Sequence, residues 1–118
     1  PTSRRLGLRA GQKLKTAADF ERARKSRERY SDAFFLVQCA DCGLGRARLG
    51  MAVGVRAIGN AVRRNRLRRL IRESFRMNRP RLPTVDLFVT AKAPASAAGN
   101  REVFASLEGI WQQIIDAR

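Results

Sequence analysis

The spacing of apolar residues changes several times along the chain, and each change marks an element. Between positions 16 and about 29, Ala17, Ala18, Phe20 and Ala23 suit a short helix, with Thr16 as its N-cap and Asp19 near its positive end. Residues 33–40, with Phe34, Phe35, Leu36 and Val37 followed by a Gly-containing turn at 41–45, have the composition of a strand. Leu49, Met51, Val53 and Val55 then alternate with Arg48, Gly50, Ala52 and Gly54, a period-two pattern that predicts a second strand, paired with the first as a hairpin.

Ile58, Gly59 and Asn60 break that pattern, and Asn60 is suited to cap a helix running to about Met77, ahead of Asn78 and Pro80. Residues 85–91 form a further strand. After a small-residue loop at 94–99, Asn100 is expected to cap a last helix in which Val103, Phe104, Leu107, Ile110, Trp111, Ile114 and Ile115 recur at helical spacing. The predicted order is α-β-β-α-β-α, which points to an α+β fold, a single-domain sandwich of a small sheet with packed helices. The 118 residues suffice for one core. Residues 1–12, rich in Arg and Gly, read as a flexible basic arm, leaving 13–118 as the domain.

Charge changes this picture most. Twenty-five Lys and Arg against ten Asp and Glu give a net charge of +15. Such an excess calls for a polyanionic partner, nucleic acid first, because cations on a protein displace counterions condensed on phosphates. An anionic membrane is the second candidate. No stretch approaches the roughly 18 apolar residues of a span, and the N-terminal residues lack the layout of a signal peptide, so the expectation is a cytoplasmic protein without a membrane partner. Cys39 and Cys42 form one C-x-x-C, half of a zinc site, with no histidine in the chain to complete it. They read as packing and turn residues, and no metal site is assigned.

The helix after Asn60 concentrates the charge. At about 100° per residue, Asn65, Arg68, Arg69, Arg72 and Arg76 fall within an arc of roughly 100°, while Leu67, Leu70, Ile71, Ser74 and Met77 lie opposite. One face is therefore expected to dock on the sheet and the other to project guanidinium groups. An isolated surface arginine is ordinarily just solvated. Here Glu73 is the only acid in the helix, so i,i+4 pairing cannot relieve the repulsion among the arginines. Arginine forks grip phosphates and stack on unpaired bases. That chemistry suits structured RNA and the DNA major groove alike.

The run from Ile58 through Asn60, Arg63, Arg64, Asn65, Arg66, Arg68, Arg69 and Arg72 to Glu73 resembles the RNR signature of the bacterial ribonuclease P protein component. Leu14 with Asp19 and Phe20 resembles the first helix of that family, 49–53 its strand, and 91–94 the segment after its last strand. The similarity extends over roughly residues 13–115. It implies a fold like the second domain of ribosomal protein S5. It also implies an accessory subunit of an endoribonuclease whose catalytic RNA removes the 5′ leader of precursor tRNA.

By position, the resemblance implies catalytic-RNA contacts at Asn60, Arg64, Asn65, Arg66, Arg68, Arg69 and Arg72, and leader-cleft contacts at Phe20, Phe34 and Lys92. It implies no cofactor on the protein itself, with Mg2+ used by the holoenzyme through its RNA. Phe20 also fits the plainer role of a core aromatic, and Phe34 more so. Two positions depart from the family pattern: Arg24 stands where a second aromatic is common, and Val37 where Tyr is frequent. With no histidine and scattered carboxylates, the protein has no catalytic residues of its own to offer. The rival classes are a structural RNA-binding protein, which would not affect leader removal, and a DNA-binding regulator, for which a dimer-forming element such as heptads is expected and none is visible.

Overall fold

The computed structural model describes residue 13, residues 17–41 and residues 45–118. The expected arm at 1–12, the Thr16 cap and Cys42 lie outside the described residues. The elements are α1 (Ala17–Arg24), β1 (Glu28–Ser31), β2 (Phe35–Asp41), β3 (Arg48–Ala52), α2 (Val55–Ile58), α3 (Ala61–Asn78), β4 (Val85–Ala91) and α4 (Asn100–Asp116), with 3-10 turns at Arg79–Arg81 and Ala93–Ser96. The α+β sandwich expected from the periodicity is the observed architecture, with a different order of elements.

The four-stranded sheet has the order β1-β2-β4-β3. β2 is antiparallel to β1 and to β4, whereas β3 runs parallel to β4. The expected hairpin between β2 and β3 does not form, because β4 lies between them. Period-two alternation identifies a strand and its buried side without identifying its neighbour. The parallel β3–β4 pair requires a crossover, which α2 and α3 supply.

β1 was not anticipated. Residues expected to continue the first helix leave it after Arg24, where Gln38 Nε2 from β2 donates to the Arg24 carbonyl at 2.5 Å and Ser26 Oγ donates to the Cys39 carbonyl. These tertiary acceptor and donor groups end α1 and turn the chain into an edge strand. The second strand likewise stops at Ala52, and Val55 opens the short helix α2 instead of extending it.

Pairing sorts the strand residues onto two faces. Phe35, Val37, Cys39, Leu49, Leu87, Val89 and Ala91 face the main core, where they are buried with Leu67, Ile71 and Phe75 of α3 and Val103, Leu107, Trp111 and Ile114 of α4. Trp111 and Phe75 meet edge to face at 6.4 Å, and the buried indole N–H donates to Ser74 Oγ at 2.8 Å. The docking face of α3 thus matches expectation at Leu67, Leu70, Ile71 and Ser74. Met77 does not belong to it: its side is 62% exposed, and Phe75, one side of the helix nearer α4, fills the core in its place. At the start of α4, Gly99 occupies the N-cap position and its N–H is taken by Glu102 Oε1 at 3.1 Å. Asn100 is the first helical residue, its side chain diverted to Arg66.

The other sheet face carries α1. A small cluster of Ala23 and Phe88, flanked by Phe20, Ala40 and Ala52, makes up its apolar contact.

Candidate nucleic-acid interface

Gly59 links α2 to α3 with φ of 112°, a conformation that side chains rarely tolerate, and so sets the direction in which α3 leaves. Asn60 Oδ1 accepts the Arg63 N–H at 3.0 Å and caps α3, as its sequence position predicts. From this fixed start the arginines distribute unequally.

Arg64 Nε donates to the Gly59 carbonyl at 3.1 Å. Arg66 turns back onto the loop before α4, donating from Nε to Asn100 Oδ1 at 2.9 Å and from Nη2 to the Ala98 carbonyl. Arg68 Nη1 reaches Asn65 Oδ1 at 2.9 Å. Glu73 pairs with Arg76. Among the described residues the side chains of Arg69 and Arg72 have no hydrogen bond or ion pair, and Arg69 is exposed. An opposite charge therefore offsets the expected repulsion at Arg76, Arg66 is held in place by neutral acceptors, and the charges of Arg69 and Arg72 are left without a partner.

Two grooves flank α3. One, of about 250 Å³, is lined by Lys13, Phe20, Leu49, Gly50, Met51, Arg68 and Arg72. The other, of about 450 Å³, is lined by Val62, Asn65, Arg66 and Arg69, and Val62 is 78% exposed within it. The first groove joins Phe20 of α1 to two arginines of α3, although the resemblance assigns them to separate sites. The Phe20 ring itself is anchored edge to face on Phe88, centroids 6.0 Å apart.

Phe34 and Lys92 stand elsewhere. The Phe34 carbonyl accepts the Lys92 N–H at 2.8 Å, and Lys92 Nζ donates to the Asp32 carbonyl at 2.7 Å. Phe34 packs against the main core, whereas Phe20 belongs to the smaller cluster. The three expected cleft residues therefore form two groups. Val37 is fully buried on the side away from α1, so an aromatic ring there would not line the Phe20 groove. Arg24, where a second aromatic is common, is paired with Glu21 at 2.5 Å.

A buried ionic network was missed. Arg48 of β3 binds Asp86 of β4 through Nε to Oδ1 and Nη2 to Oδ2, both at 2.8 Å. Its Nη1 reaches Asp19 Oδ2 at 3.2 Å, and Arg22 Nη2 donates to Asp86 Oδ2 at 2.8 Å. Hydrogen bonding to Asp86 raises the pKa of both Arg48 and Arg22 above the ordinary guanidinium value. The available signal was Asp86, one acid in the otherwise uncharged strand 85–91.

Cys39 is buried in the main core, and burial pushes its thiol up to about 12, consistent with a packing residue. Among the described residues no helix is long and apolar enough to cross a membrane.

Fold and site together define a class, a small basic α+β protein that carries an arginine-rich helix beside an aromatic groove. The model of the family described as Ribonuclease P matches residues 8–115. The chain belongs to the ribonuclease P protein family. It is 32% identical over 108 residues to the ribonuclease P protein component of Coxiella burnetii, covering 92% of this chain and 89% of that one. It is 35% identical over 102 residues to that of Halorhodospira halophila, covering 86% and 84%. The solved RNase P protein of Staphylococcus aureus superposes with a TM-score of 0.81 at 30% identity, covering 86% of this chain and 94% of that one. The Thermotoga maritima RNase P protein, in complex with 1-(4-fluorophenyl)-2-thiourea, gives 0.78 at 30% identity, covering 86% and 99%.

Proposed function

We propose that this protein is the subunit of ribonuclease P that binds the catalytic RNA through α3 and receives the single-stranded 5′ leader of precursor tRNA against α1 and the sheet. The observation that carries this reading is the groove that Phe20 lines together with Arg68 and Arg72. A ring stacks an unpaired base with little regard to its identity, for about 1–3 kcal/mol, and adjacent arginines hold the phosphates on either side. That combination fits leaders of varied sequence.

Asn60, Arg64, Asn65, Arg66 and Arg69 are assigned to the catalytic RNA, with Arg68 and Arg72 at the seam between catalytic RNA and leader. Lys92 keeps ammonium protons beyond the one given to Asp32, and with Phe34 it is assigned to the leader where it passes the start of β2 and the end of β4. The protein's part is electrostatic: its positive charge offsets phosphate repulsion where two RNAs meet, while the RNA holds Mg2+ and cleaves. In support, the chain has no histidine, and Asp19, next to Phe20 in the chain, and Asp86, on the same strand as Phe88, are committed to arginines. Cytoplasmic tRNA processing is the setting this reading implies.

Reconstitution tests it. Added to its cognate catalytic RNA, the protein is expected to let precursor tRNA be cleaved at lower Mg2+ than the RNA needs alone. Identical Mg2+ dependence with and without protein would overturn the reading.

A further inference from the structure

α1 has eight residues, too few to be a stable helix by itself, so its position is decided by what it packs on. Its apolar contact is small, with Ala23 and Phe20 set against Phe88, Ala40 and Ala52. Contacts between short and flat side chains resist separation but permit sliding and rotation. Against this weak apolar seat stands the four-residue network of Asp19 and Arg22 from α1, Arg48 from β3 and Asp86 from β4. Among the described residues two positive and two negative groups meet, and the Asp86 side chain is fully buried, with Arg48 only 9% exposed.

The geometry of the network is directional. Asp86 holds Arg48 by both oxygens, and the two residues are register partners in the parallel β3–β4 pair, so the sheet presents the fork in one orientation. Asp19 and Arg22 then bind this fixed pair from α1, three residues apart on one helix face. A buried ion pair adds little net stability compared with apolar packing, because desolvation offsets the attraction, yet it defines geometry that apolar contacts leave free. Phe20 follows Asp19 in the chain, and its partner Phe88 is two residues from Asp86 on the same strand face. The network and the edge-to-face rings are thus side by side.

We infer that the Asp19–Arg22–Arg48–Asp86 network is a positioning device that holds α1 at one height and rotation on the sheet and thereby sets the Phe20 ring to receive a base of the leader. These four residues touch no RNA in this role. The inference rests on the leader-binding reading above.

The test uses the reconstituted holoenzyme with the double variant Asp19→Asn/Arg22→Gln, which leaves the buried Arg48–Asp86 pair intact and so preserves the fold. Affinities are measured for leader-bearing precursor tRNA, for mature tRNA and for the catalytic RNA, alongside hydrogen exchange of the α1 amides. Loss of one stacked base predicts about a fivefold or greater weakening for the leader-bearing tRNA. Mature tRNA and catalytic RNA should bind as before, α1 amides should exchange faster, and Arg22→Lys, which keeps the charge, should retain part of the leader affinity. Unchanged leader affinity would overturn the inference. So would a proportional loss of all three affinities, which marks a merely structural network. If instead the wild-type holoenzyme binds leader-bearing and mature tRNA equally, the leader-binding reading itself fails, and this inference with it.

Discussion

Ser74 shows how one small residue sets the terms of packing. It lies on the buried side of α3 and accepts the indole N–H of Trp111, the largest fully buried side chain. Ser74→Ala would leave that donor without an acceptor in the core, at a cost of about 1–3 kcal/mol in chemical denaturation. Cys39 makes a second residue-scale prediction. Its thiol sits at about 12 in the folded chain against an ordinary 9.0, so the unfolded chain loses its proton first as pH rises. Stability is therefore complete below about pH 9 and declines toward 12. Tyr30, pushed up to about 12 by burial and its bond to Glu28, acts in the same direction. Melting temperature measured from pH 8 to 11 should fall, and Cys39→Ala should make the fall shallower.

At the scale of the element, α3 serves both the core and the partner surface, and its arginines are not equivalent. Arg69 and Arg72 have no protein partner among the described residues, so Arg69→Ala and Arg72→Ala should each lower the salt slope of RNA binding by about 0.7 to 1 with little change in melting. Unchanged slopes in RNA titrations at several salt concentrations would remove these residues from the interface. Arg66 is tied to Asn100 and Ala98, so Arg66→Ala should also reduce stability. Asn60→Ala removes the cap and should cost about 1 kcal/mol, read from the same denaturation curves.

At the scale of the molecule, a net charge of +15 on one small domain opposes its own folding. The free protein should therefore melt at a higher temperature as NaCl is raised from low to moderate concentration, while its affinity for RNA falls. Opposite responses of stability and binding to one variable separate self-repulsion from partner attraction. A melting temperature that is flat with salt would mean that the charges are spread widely enough not to repel.

Local residue patterns determined much of this protein: the strands around Val37, Met51 and Val89, the two long helices, the Asn60 cap and the amphipathic division of α3 all follow from period, capping chemistry and charge spacing within a few residues. The RNR run also carried the family, because its meaning lies in contiguous positions. What only the tertiary structure decided depended on partners distant in sequence. Which strand lies beside which is set by the crossover through α3, so the expected β2–β3 hairpin gave way to β4 at the centre. The end of α1 depends on Gln38, the exposure of Met77 on where α4 packs, and the meeting of Phe20 with Arg68 and Arg72 on how α1 and α3 flank β3. The ionic network joins Asp19 to Arg48 across 29 positions and Arg22 to Asp86 across 64, and no local spacing rule can announce a contact that exists only once the sheet has formed.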